Sequence, residues 1–283
     1  MKFEKWQALG NDYVIIESRE LEFELTEARI QKLCAPHFGL GSDGIVLVSA
    51  TDTPGFVANL RIFNPDGSEA ELSGNGVREA VLYLRNNGWT ESQQFSVETA
   101  AGEIRPTITS ATTCTVDMGR ARLKSDDFPS GGEDGRGQLE ADGRSWSFQH
   151  VKIGNPQCSI RVADEAELKA LDLPAIGGGI EKHALFPNRT NVSWYTPLAD
   201  NKIRARIFER GVGEDLASGT GGTGAAVAHV LAGGESPVTV ILDGGELEVE
   251  VEEDLHINLS GWAKPVYTGT LSKELIEELH ATV

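Results

Sequence analysis

One stretch of this chain occurs twice, and that repetition constrains the fold more than any other feature. RIFNPDGSEAELSGNG runs from Arg61 to Gly76, and RIFERGVGEDLASGTG runs from Arg206 to Gly221. Arg-Ile-Phe, Glu69 with Glu214, and Ser73 with Ser218 all repeat at an offset of 145 residues. Gly10-Asn11 returns as Gly154-Asn155 at 144, and Ser96 to Ile104 is echoed by Thr239 to Leu247 at 143. Landmarks kept in one order at nearly one spacing mark an internal duplication, and the period is far too long for a solenoid. We therefore expect two homologous domains facing each other, with one glycine loop from each meeting at a shared cleft. The length of 283 residues agrees with two domains.

Strand-like runs dominate the chain. Val14–Ile16, Ile45–Val48, Leu60–Phe63, Phe95–Glu98, Thr113–Met118, Ser147–Ile153, Ile203–Phe208, Val238–Leu242 and Leu247–Val251 all favour β-structure. Two helices are expected directly after the SGxG loops, over Val77–Arg85 and Thr223–Leu231. A shorter helix should follow Thr26 as N-cap, and an amphipathic one should span Leu271–His280. Ser125–Arg144, rich in Gly, Asp and Ser, reads as a surface loop. The expected class is α+β, each domain a mostly antiparallel sheet or barrel wrapped around a central helix, with the active site between the domains.

The net charge of −18 disfavours nucleic acid and anionic membranes as partners. No apolar run approaches the roughly 20 residues of a membrane span. The opening MKFEKWQALGNDYV carries charges and a tryptophan where a signal peptide would have its apolar core, so no leader is expected. Three cysteines, Cys34, Cys114 and Cys158, are an odd number with no CxxC, which fits a reducing cytoplasm and argues against a disulfide framework. The six histidines are scattered, so no metal site is expected.

The chemistry is concentrated in the two loops. Glycines at alternating positions let the backbone turn sharply and aim its N–H groups at one spot. A helix that follows at once turns its positive end to the same spot. Each loop is thus a cradle for a carboxylate or phosphate with a serine at its mouth. Asn11, Asn64, Asn75, Asn155 and Asn191 sit at turns or strand ends, and each offers a donor and an acceptor, as an α-amino acid ligand would require. Glu209 and Arg210 follow the second Arg-Ile-Phe where the first copy has Asn64-Pro65, an asymmetry suited to telling two ends of a ligand apart.

The motifs ALGNDY around Asn11, HFGLGSDGI from His37, FNPDGSEAELSGNGVRE from Phe63, GNP from Gly154, FPNRTNV around Asn191 and FERGVGEDLASGTG from Phe208 together resemble the diaminopimelate epimerase family over nearly the whole chain. The resemblance implies a pyridoxal-phosphate-independent amino-acid epimerase that needs no cofactor and converts LL- to meso-diaminopimelate in lysine and peptidoglycan synthesis. It implies two pseudo-symmetric domains, residues 1–120 plus 270–283 and residues 121–269, because the family's last helix returns to its first domain. Gly74, Asn75, Gly219 and Thr220 would bind the α-carboxylate, while Asn11, Asn64, Asn155, Asn191, Glu209 and Arg210 would complete recognition. The implied partner is a small amino-acid substrate and, as family members are often dimers, a second copy of the chain. The implied location is the cytoplasm.

At the chemical centre the sequence departs from the family. The family sets one cysteine on each face of the α-carbon, and those two catalytic places are Ser73 and Ser218 here. The family histidine thought to tune the thiols is Gln157, and Thr223 stands where a further cysteine is common. A serine hydroxyl is a far weaker acid than a thiol and needs a neighbouring base to act as one. A laboratory exchange, a natural variant that still epimerises, and a relative that only binds a ligand or does other chemistry remain open at this point. Among the last, a carboxylate isomerase of the phenazine-pathway type would use Glu69, Glu209 or Glu214.

Overall fold

A computed structural model describes residues 1–70, 73–199 and 201–282. The chain divides into two compact units, Met1–Val116 together with the chain from Gly261 onward, and Asp117–Ser260. The first unit contains β1 (Lys2–Ala8), β2 (Asn11–Glu17), α1 (Glu27–Cys34), β3 (Ile45–Ser49), β4 (Phe56–Phe63), β5 (Glu69–Ala70), α2 (Gly74–Asn86), β6 (Ser96–Thr99), β7 (Gly102–Ile104) and a hairpin of β8 (Pro106–Ser110) with the start of β9 (Thr113–Arg120). The strand Lys264–Thr270 returns to pair antiparallel with β1. From β1 the neighbours run β2, β3, β4, β6, β7, and their pairings are antiparallel, parallel, antiparallel, parallel, antiparallel.

The second unit contains β10 (Arg136–Ala141), β11 (Arg144–Ile153), β12 (Asn155–Arg161), α3 (Glu165–Ala170), α4 (Leu173–Glu181), β13 (Asn191–Pro197), β14 (Lys202–Glu209), β15 (Gly213–Asp215), α5 (Gly219–Leu231), β16 (Val238–Leu242), β17 (Gly245–Val251) and β18 (His256–Trp262). From β11 through β12, β13, β14 and β16 to β17 the pairings repeat the same five-step pattern. The register repeats as well: Phe63 lies opposite Glu69 as Phe208 lies opposite Glu214. The duplication in the sequence is therefore a duplication of an α+β fold.

The inner strands β2 and β3 are buried on both faces, which is why they read as nearly unbroken apolar runs. On one face of the first sheet, Val14, Ile16, Ile45 and Leu47 join Ile30, Leu33, Leu271 and Leu279 in a core, so α1 and the C-terminal helix cover that side. The other face wraps α2, whose residues Asn75 to Leu84 are all buried. A helix buried on every side belongs inside its domain. In the second unit α5 takes that place, with Gly219 to Ala228 all buried. Its first turns are almost all Gly, Thr and Ala, so the strands approach its backbone closely.

Both central helices begin earlier than the sequence predicts, at Gly74 and Gly219 rather than Val77 and Thr223. Glycine is a poor helix former, but here Ser73 and Ser218 are the N-caps and the glycines form the first turn. Burial of the helix outweighs propensity. The expected loop over 125–144 contains β10, which pairs with β11 across Asp142-Gly143. Both turn residues have positive φ, 53° and 68°, the conformation that an Asp-Gly hairpin turn requires. The sequence reading also missed α3 and α4, one only six residues long and the other broken by three glycines.

The tight seat of α5 yields a prediction. A Cβ at Gly224 would lie 2.8 Å from Gln157 Cβ, whereas one at Gly178 in α4 would meet nothing within 4 Å. Urea unfolding should find Gly224→Ala destabilised by about 2 kcal/mol through overpacking. Gly178→Ala should instead gain about 0.5–1 kcal/mol by lowering backbone entropy.

Candidate active site

Ser73 and Ser218 occupy matching positions in the two units. Each is a helix N-cap in extended conformation, at φ −127°, ψ 119° and φ −123°, ψ 123°. Ser73 Oγ accepts from Gly76 N–H at 3.1 Å, and Ser218 Oγ accepts from Gly221 N–H at 3.0 Å. Capping places each hydroxyl where the free N–H groups and the positive end of the helix converge. Gly221 is required by this closeness: a Cβ there would stand 3.0 Å from Ser218 Oγ and 2.8 Å from Ile207 Cγ2, whereas one on Gly76 would meet nothing nearer than 3.4 Å.

Around Ser73 the first unit arranges a directed chain of amides. Arg78, fully buried in α2, donates to Gly74 O at 3.1 Å and to Asn75 Oδ1 at 2.5 Å. With its oxygen taken, Asn75 donates through Nδ2 to Asn11 Oδ1 at 3.1 Å. Asn11 in turn donates to Asp43 Oδ2 at 3.0 Å, and Asp12 N–H reaches the same oxygen at 2.9 Å. The arginine at one end and the carboxylate at the other fix which way every amide points. Burial is the main cause that raises the Asp43 pKa above the usual carboxylate range. Asn64 stands apart from this chain, donating to Ser68 Oγ at 3.0 Å within its own turn.

The same unit contains two groups near Ser73 that the sequence reading did not select. Tyr13 donates its hydroxyl to Ser73 Oγ at 3.1 Å. Glu79 is fully buried and accepts Tyr13 N–H at 3.1 Å. Burial pushes the Glu79 carboxyl well above its ordinary range, outweighing Arg78 beside it. An Arg-Glu pair inside a helix buried on all sides was the sequence signal for this region.

In the second unit the Ser218 hydroxyl lies beside the Glu209 carboxyl at the end of β14 and favours its ionised form. Part of the Glu209 residue is exposed, but its carboxyl is packed among protein atoms. That burial pushes its pKa up to about 7, with Asp215 adding to the rise and the Ser218 hydrogen bond opposing it. The turn after Glu209 is held from three sides. Arg210 N–H donates to Asn191 Oδ1 at 2.7 Å, Arg210 Nη1 to Asn188 O at 2.9 Å, and Gly211 N–H to Glu181 Oε1 at 2.9 Å. Glu181 is itself buried and paired with Arg189. Asn191, its oxygen engaged, keeps its Nδ2 protons for another acceptor.

The remaining positions fall into place in the same unit. Gln157 is fully buried; its Nε2 donates to Asn155 O at 3.4 Å, and its Oε1 has no partner among the described residues. Gly219 and Thr220 are buried in the first turn of α5. Thr223 donates back to Gly219 O at 2.8 Å, so its hydroxyl serves the helix rather than a ligand. Glu69 and Glu214 are occupied by Arg61 at 2.8 Å and Arg206 at 2.5 Å, and so brace the two loops.

Comparison with known proteins identifies the family and the fold. The profile of the family described as diaminopimelate epimerase matches residues 3–124 and 149–268. The chain is 40% identical over 280 residues to diaminopimelate epimerase 2 of a Nostoc species, covering 97% of each chain. It is 39% identical to the diaminopimelate epimerase of Pelotomaculum thermopropionicum, covering 95% of this chain and 98% of that one. Among solved structures it is similar to a phenazine biosynthesis protein of the PhzF family from Bacillus anthracis, with TM-score 0.69, 18% identity and coverage of 96% and 99%. A probable proline racemase from Agrobacterium radiobacter superposes with TM-score 0.68, 14% identity and coverage of 96% and 93%. These two likenesses show a shared fold.

The raised Glu209 pKa also fixes a dependence of stability on pH. The folded chain holds the Glu209 proton more tightly than the unfolded chain, whose carboxyl titrates near 4.5. Its contribution to stability is therefore fully present below about 4.5 and is lost as pH rises through about 7. Unfolding free energies measured from pH 4 to 8 should fall less steeply in Glu209→Gln than in the parent chain.

Proposed function

The chain belongs to the diaminopimelate epimerase family, and from that premise we propose that it interconverts LL- and meso-diaminopimelate by removing the α-proton on one face and returning a proton on the other. The observation that carries the reading is the matched pair of capping serines, Ser73 and Ser218, each at the positive end of a buried helix. Two-sided proton transfer needs one group for each face of the α-carbon, and the duplication supplies one from each unit. On this reading the N–H groups of Gly74 and Asn75, and of Gly219 and Thr220, receive the α-carboxylate. There they would stabilise the charge that builds as the proton leaves.

Ser218 becomes a base through Glu209. As a carboxylate, Glu209 takes the Ser218 proton as the Ser218 oxygen takes the α-proton. The pKa of about 7 leaves a substantial carboxylate fraction at neutral pH. Asn11, Asn64, Asn155, Asn191 and Arg210 are read as recognition groups, several of them for the far amino-acid end of the substrate. No organic cofactor enters this reaction. The same reading carries a cytoplasmic location and a homodimer. Of the three carboxylates that a carboxylate isomerase could use, Glu69 and Glu214 are tied to Arg61 and Arg206, which leaves Glu209.

Incubation with LL-diaminopimelate in D₂O should give meso product carrying deuterium at the α-carbon, detected by mass spectrometry. kcat/KM should rise with pH through about 7. Glu209→Gln should lose that limb and about 100-fold of kcat. Binding of diaminopimelate with no deuterium uptake would replace the epimerase reading with that of a binding protein lacking its catalyst.

A further inference from the structure

The two serines share a cap but face opposite partners. Ser218 lies beside an acceptor, the Glu209 carboxyl. Ser73 Oγ receives hydrogens from two donors, Gly76 N–H and Tyr13 Oη–H, each at 3.1 Å. With its oxygen occupied as acceptor, Ser73 is left to present its own proton outward. In the duplicated frame Tyr13 is the counterpart of Gln157, at the same offset of 144 that relates Asn11 to Asn155. The two units therefore place different chemistry at one equivalent strand position. The amide of Gln157 bonds within its own strand, while the Tyr13 phenol reaches the serine.

The Tyr13 ring is built into its place. It is 5% exposed, with Gly44 and Gly76 against it. A Cβ on Gly44 would stand 2.5 Å from Tyr13 Cε1, and one on Gly76 would stand 3.4 Å from Cζ. The contact with Ser73 is long for an O–H···O bond, as hydrogen bonds that tighten when a ligand binds often are. Among the described residues, Glu79 on α2 accepts the Tyr13 N–H, and the adjacent Asp12 on the same strand pairs with Lys5 on β1 and with Asp43 ahead of β3.

We propose that Tyr13 is the positioning residue and proton reservoir of Ser73, making the Ser73 side the acid and the Ser218–Glu209 side the base of the resting chain. This rests on the two-base reading above. In the step, the Cα–H bond breaks toward Ser218 Oγ while the Ser218 proton passes to Glu209. A new Cα–H bond then forms with the proton of Ser73, and Tyr13 returns a proton to the Ser73 oxygen. Glu209 ends protonated and Tyr13 ends as phenolate, and solvent exchange resets both. A phenol, with a pKa near 10, is a much stronger acid than an alkyl hydroxyl, so the negative charge settles on Tyr13 rather than on Ser73.

Tyr13→Phe removes one oxygen and keeps the ring. It should lower kcat about 100-fold with KM within about twofold, and it should abolish an alkaline limb of the kcat profile that the parent shows. Tyr13→Phe combined with Ser73→Ala should be no slower than Ser73→Ala alone, because the two act as a unit. A kcat for Tyr13→Phe within about threefold of the parent, or losses that multiply in the double variant, would overturn the proposal. A second readout needs no substrate. In Ser73→Cys, the pH dependence of iodoacetamide alkylation titrates the new thiol against three native cysteines that are all buried. With Tyr13 present the thiol should titrate about one pH unit lower than in Ser73→Cys/Tyr13→Phe. Equal titration would overturn the coupling. If the parent turns over no diaminopimelate isomer, the functional reading fails while the thiol comparison still decides the Tyr13–Ser73 link.

Discussion

The serine cap is the interaction on which the rest of the structure depends. A helix that starts inside a domain must find partners for its first N–H groups. In both units the side-chain oxygen at the cap takes one of them, and glycine at the next positions lets the strands close around the first turn. The sheet, the central helix and the reactive hydroxyl are therefore fixed together. On the proposed function, N–H groups of the same first turn receive a carboxylate. Serine is among the best capping residues, so a hydroxyl where the family resemblance implies a thiol costs the fold nothing at this point.

The exchange costs acidity, and the partners of the two serines are where the structure answers that cost. Glu209 is buried enough to titrate near neutrality and lies against Ser218. Tyr13 lies against Ser73. The duplicated scaffold supplies symmetry in backbone and caps, and the side chains that touch the two hydroxyls break it. Buried groups with fixed orientation hold the surroundings in register: Arg78 and Asp43 at the ends of one amide chain, and Glu181 under the turn that carries Arg210.

Much of this was legible in the sequence because duplication is a pattern of spacing, and spacing survives folding. The strands, the two central helices, the serines and the asparagines followed from it. The central helices start earlier than the residue pattern predicts because burial of the first turn overrides the poor helix propensity of glycine. β10 was missed although Asp142-Gly143 is a strong hairpin signal, because the surrounding composition reads as loop. Tyr13 was missed because it was considered only as part of a motif. Only the fold brings a β2 side chain to the cap of α2, although the offset that pairs it with Gln157 was already visible. The roles of Glu69 and Glu214 could not be separated from that of Glu209 until their arginine partners were seen.

A crystal structure of the chain bound to meso-diaminopimelate would test the central claim most directly. The account predicts Ser73 Oγ and Ser218 Oγ on opposite faces of the reacting α-carbon, each about 3–3.5 Å away, with the carboxylate on the N–H groups after both serines. An α-carbon approached by neither serine, or by both from one face, would contradict it.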